Sequence, residues 1–77
     1  MTPNEINEYA KTITYTYQIT IVIKNDGEKH FGYFSANTHS KAKNQWGFFD
    51  FSLNKIISID GDDILSIEIK ERSNLDI

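Results

Sequence analysis

The chain has 77 residues, no cysteine, 13% aromatic residues, and a net charge of −3 from eight Lys and Arg against eleven Asp and Glu. A chain of this length holds one domain with a small core, and the missing cysteines exclude disulfides and thiolate metal sites as reinforcement. The acidic balance argues against a non-specific nucleic-acid binder, which needs surplus Lys and Arg to displace counterions.

Thr2-Pro3-Asn4-Glu5 is a helix start: Thr2 caps, Pro3 suits the first helical position, and Glu5 completes a capping box. Ile6, Tyr9, Ala10 and Ile13 then recur at helical spacing, which predicts an amphipathic helix over about 3–12. From Ile13 the period becomes two: Ile13, Tyr15, Tyr17, Ile19, Ile21 and Ile23 alternate with Thr14, Thr16, Gln18, Thr20, Val22 and Lys24. That is a strand, ending at the hairpin signal Asn25-Asp26-Gly27. Of two registers, a three-residue loop with left-handed Gly27 pairs Ile21 with Phe31 and Ile19 with Tyr33. It is preferred because it sets apolar residues opposite one another.

A second strand is expected over 29–36, with Gly32 marking a bend or a close approach. The polar stretch 37–45 reads as an exposed loop. A third strand over 46–53 carries Phe49, Phe51 and Leu53 on one face and Trp46 and Phe48 on the other. A fourth runs over 56–60 and a fifth over 62–71, the latter with Leu65, Ile67 and Ile69 inward. Residues 72–77 form a tail. The expected fold is therefore mainly β: one domain over 1–77, a short N-terminal helix, and a five-stranded, strongly bent antiparallel sheet closing into a small Sm-like or SH3-like barrel.

Two stretches resemble the motifs of the Sm-like family, the Hfq and Sm type of small barrel. The first runs Ile19-Thr20-Ile21-Val22-Ile23-Lys24-Asn25-Asp26-Gly27, followed by Gly32-Tyr33-Phe34; the second is Ile57-Ser58-Ile59-Asp60-Gly61-Asp62-Asp63-Ile64. The resemblance implies an N-terminal helix and a five-stranded bent barrel. SH3-type barrels give the same pattern. In RNA-binding members the second motif supplies an arginine and an asparagine near the base pocket, where this chain has Asp60 and Asp63. Of the Asp and Asn that the loop after the second strand supplies, only Asn37 is a candidate. Acids at these positions repel phosphate, so the resemblance implies the fold with the RNA site replaced.

The remaining candidates divide by chemistry. Asp60-Gly61-Asp62-Asp63 lacks the ligand spacing of a calcium loop and reads as a solvated turn with its glycine at positive φ. His30 reads as an exposed strand residue and His39 as an exposed loop residue, with nothing to bring them together, so no catalytic residue, metal or cofactor is expected. Tyr33, His39, Lys41 and Lys43, with Trp46 nearby, make the candidate nucleic-acid contact, a basic loop beside rings that stack on bases. Val22, Phe34, Trp46 and Phe48 fall on the outward faces of their strands and make the candidate partner or self-association surface.

The expected function is a non-enzymatic interaction module: a small regulator or inhibitor of bacterial or phage type that binds and modulates another protein, as a homo-oligomer or alone. The alternative is an Sm-like RNA or nucleotide binder using the loop over 37–46 and its aromatics. Neither a basic, apolar leader nor a run long enough to cross a bilayer opens the chain, so a cytoplasmic protein without membrane contact is expected.

Overall fold

The computed structural model describes residues 1–11, 18–35 and 39–71. Helix α1 spans Pro3–Ala10, and five strands follow: β1 (Gln18–Lys24), β2 (Lys29–Phe34), β3 (Gln45–Asp50), β4 (Lys55–Asp60) and β5 (Ile64–Glu71). The helix starts as its sequence dictates. Thr2 Oγ1 accepts the Glu5 N–H at 3.3 Å while Glu5 Oε1 accepts the Thr2 N–H at 3.0 Å, so two otherwise orphaned donors are satisfied together. Expectations for 12–17, for 36–38 including Asn37, and for the tail over 72–77 lie outside the described residues.

All strands pair antiparallel in the order β4-β3-β2-β1-β5. Ile21 pairs with Phe31 across the β1–β2 hairpin, and Gly27 takes φ +89°, the register that the apolar alternation favours. The sheet is strongly curled. In a flat sheet β4 and β5 would lie about 19 Å apart at the usual strand spacing of about 4.8 Å. Yet only Gly61–Asp63, one turn of 3-10 helix, joins them, and such a turn advances about 2 Å per residue. No β4–β5 ladder closes the ring among the described residues, so both strands present an edge.

Gly32 permits the tight part of this curvature. A β-carbon there would overlap the backbone carbonyl of Phe49 on β3, so only glycine lets the two strands approach so closely.

The core lies on the inner face of the curl. Val22, Trp46, Phe48, Ile59, Ile64 and Ile67 are buried there, and α1 adds Ile6. This corrects the assignment of Val22, Phe34, Trp46 and Phe48 to an outward association surface. Val22 and Phe48 are 0% exposed, Trp46 is 1% exposed, and Phe34 is half-buried against the same cluster. Both faces of β3 carry aromatics, so alternation alone leaves the choice open; the curl and the helix decide it. Phe51 and Leu53 instead stand exposed in a turn over 51–54.

A similar inversion occurs in β5. The register slips at Ile23/Lys24, which pair with Ser66 and Ile64 and leave Leu65 unpaired. The bulge turns Ile64 into the core and leaves Leu65, expected inward, 62% exposed, as one extra residue reverses side-chain alternation. Among the described residues no helix is long and apolar enough to cross a membrane.

Candidate functional site

With the core on the inner face, the outer face of β2, β3 and β4 carries a second apolar cluster. Tyr33 stacks on Phe49, its cross-strand partner, at a centroid distance of 5.2 Å and an interplanar angle of 11°. Phe51 meets both rings edge-on at 5.9 and 6.1 Å. Ile56 lies opposite Phe49 on β4. Phe31 joins at the other side, its carbonyl accepting the Phe51 N–H at 2.9 Å. Phe31, Tyr33, Phe51 and Ile56 are 43, 41, 36 and 48% exposed. Such aromatic contacts are worth about 0.5–1.5 kcal/mol each, yet the rings keep much of their surface in water. Lys29, Lys70, Glu68 and Ser58 belong to the same face by strand alternation and give it a polar rim.

A polar constellation occupies the start of β2 and the end of β3. His30 Nδ1 lies 2.6 Å from Asp50 Oδ2, and His30 Nε2 lies 2.7 Å from Glu28 Oε1. Asp50 is buried, and its Oδ1 accepts the N–H groups of Ser52 and Leu53 at 2.8 and 3.1 Å. The His30 hydrogen bond, with those two backbone donors, holds the Asp50 carboxyl below its ordinary pKa, against the opposing effect of burial. Ionised carboxylates only accept, so both contacts form together when the ring donates from each nitrogen. His30 is thus not the exposed residue expected of it, since its side chain is 13% exposed. A sequence signal existed in Asp50, which falls in phase with Trp46 and Phe48 on the buried side of β3.

His39 also departs from expectation. Its Nδ1 accepts the Gly47 N–H at 3.0 Å, and its ring packs on Trp46 and Phe34 at 4.9 and 6.0 Å. Burial lowers its pKa, and the buried Nε2 finds no partner among the described residues. Lys41 and Lys43 are exposed on a 3-10 turn that leans on α1 and β3, whereas Tyr33 stands on the outer face. The structure does not bring the four candidate nucleic-acid residues together.

The turn of the second Sm-like stretch meets the loop before β3 through Asn44, a residue that spacing did not single out. Its Oδ1 accepts the Trp46 indole N–H at 2.8 Å, and its amide donates to Met1 O and Asp62 Oδ1 at 3.3 and 3.2 Å. Gly61, expected at positive φ, is not among the left-handed residues; it is buried against Asn44 instead. Asp60, Asp62 and Asp63 are exposed around this contact, so the rim is acidic and the amide is already engaged. Among the described residues no three His, Asp or Glu side chains group to hold a metal ion.

No protein-family model, curated protein or solved structure matches the chain.

Proposed function

We propose that this protein is a non-enzymatic binding module that engages a protein surface, another protein's or a second copy's, through the outer face of its sheet. The observation that carries the reading is the contiguous, half-exposed cluster of Phe31, Tyr33, Phe49, Phe51 and Ile56. The main core cluster lies on the other face, so these rings stand outside it. Contiguous apolar surface on a small domain marks an interaction site, and aromatic residues within a polar rim are the usual anchors of one.

An Sm-like or SH3-like small barrel is the architecture we infer for the module. An N-terminal helix, five antiparallel strands and a three-residue link between the sheet's two edges support it. Among the described residues β4 and β5 each have one edge with no strand paired to it, and such edges offer backbone donors and acceptors to a partner strand. The RNA reading draws less support, because Tyr33 and the Lys41–Lys43 turn are separated and the Asn44 region is acidic.

Light scattering at low and moderate salt tests the proposal on wild type, Tyr33→Asp and Ile56→Asp. A wild-type oligomer that both variants convert to a folded monomer supports it, and an oligomer indifferent to both overturns it. If wild type is monomeric, the variants should lose host proteins that the wild-type bait retains. An identical retained set would sink the reading, as would tight oligonucleotide binding at low salt that neither variant changes.

A further inference from the structure

Beside the start of β2 lies a cleft of about 270 Å³, lined by Glu28, Lys29, Phe31 and Leu53 around His30 and Asp50. We propose that it is a carboxylate-binding site, filled by the Glu28 side chain in the free protein and by a ligand carboxylate joined to an apolar group when occupied.

The argument starts from the unequal burial of the two carboxylates on His30. The Asp50 side chain is 4% exposed and that of Glu28 is 54% exposed. Asp50 is pinned by the Ser52 and Leu53 backbone donors and by His30 Nδ1, so the imidazole plane is set from behind. The Nε2 position is then aimed at one point in the cleft, where Glu28 Oε1 now sits at 2.7 Å. Glu28 holds its end of this contact on the solvent side, where water competes for its carboxylate, so exchanging one outer carboxylate for another costs little. Lys29 has no carboxylate partner among the described residues and stands ready to balance the added charge. Phe31 and Leu53, 43 and 52% exposed, supply the apolar walls.

The chemistry selected is a carboxylate beside an aryl or alkyl group, either a small organic acid or an acidic side chain flanked by apolar residues in a peptide. The site does not depend on the outer face being an interface. Glu28 competes as an intramolecular ligand at an effective concentration in the millimolar range, on the order expected for a short tether. Its removal should therefore tighten binding.

The test is an NMR titration of wild type and Glu28→Ala with phenylacetate and, separately, with a blocked Leu-Glu-Leu tripeptide. Sodium chloride at matched ionic strength is the reference. Saturable shifts of the His30 ring and of the Phe31 and Leu53 amides are expected, about tenfold tighter in Glu28→Ala and lost in His30→Gln. The tighter probe identifies the source of the carboxylate. No saturable shift in Glu28→Ala, an equal response to chloride, or undiminished binding in His30→Gln overturns the proposal. Should His30→Gln fail to fold, Lys29→Ala at an exposed position decides instead: binding must weaken severalfold, and unchanged affinity overturns the site.

Discussion

Asn44 packs its side-chain amide against the α-carbon of Gly61 so closely that a β-carbon there would overlap it. The backbones also meet, with the Gly61 N–H donating to Asn44 O at 2.7 Å. The contact ties the loop before β3 to the turn that carries the chain from β4 to β5. Asn44 cannot swing aside freely, because the same amide holds the Trp46 indole N–H and the Met1 carbonyl. Gly61→Ala is expected to cost about 2–3 kcal/mol, combining overpacking with a lost hydrogen bond. Urea denaturation measures it. A midpoint unchanged from wild type would mean that the amide has somewhere else to go.

The two faces of β3 should respond oppositely to truncation. Phe48 is wholly buried and Phe51 is 36% exposed. Phe48→Ala should cost about 3–5 kcal/mol, a large share of the roughly 4–12 kcal/mol by which a domain of this size is stable. Phe51→Ala should cost about 1–2 kcal/mol, the exposed-residue range with two partly solvated edge-on contacts added. Circular dichroism melts of both variants check the assignment. A larger loss in Phe51→Ala would put the core on the wrong face.

The bulge in β5 makes a similar comparison between neighbours. Ile64 is 2% exposed and Leu65 is 62% exposed. Ile64→Ala should therefore cost about 2–5 kcal/mol, and Leu65→Ala no more than about 0.5 kcal/mol. The reverse order, measured by chemical denaturation, would restore uninterrupted alternation through the strand and remove the bulge.

Acid should weaken the fold through two groups whose pKa values fall on folding. For His39, burial lowers the value from 6.5. Below about pH 6.5 the unfolded chain takes up a proton that the folded ring refuses, so His39's contribution is present above 6.5. It is lost as pH falls toward the lowered folded value. The stability difference between wild type and His39→Gln should thus grow with rising pH across that window, read as urea midpoints; a flat difference would place the ring in water. For Asp50, hydrogen bonding to His30 and to the Leu53 and Ser52 backbone depresses the value below 3.8. Its contribution is present above about 3.8 and disappears as pH falls through the folded value. Asp50→Asn should flatten that acid limb.

Local chemistry was legible in the sequence because it depends on neighbours along the chain. The Thr2–Glu5 capping box, the left-handed Gly27 with its Ile21–Phe31 register, and the close approach at Gly32 each follow from a few adjacent residues. The choice of buried face does not. Val22, Trp46 and Phe48 alternate with Ile21, Ile23 and Phe49, so two apolar faces compete on paper. Only the direction of curl and the docking of Ile6 decide which is dry. Leu65 shows the same limit from another side: a bulge set by pairing with β1 reverses what strict alternation predicts. The His30–Asp50 pair joins residues twenty apart in the chain, and the Asn44–Gly61 contact joins residues seventeen apart. Neither partner has a spacing that announces the other, because contacts between segments distant in the chain are created by the register and curvature of the finished sheet.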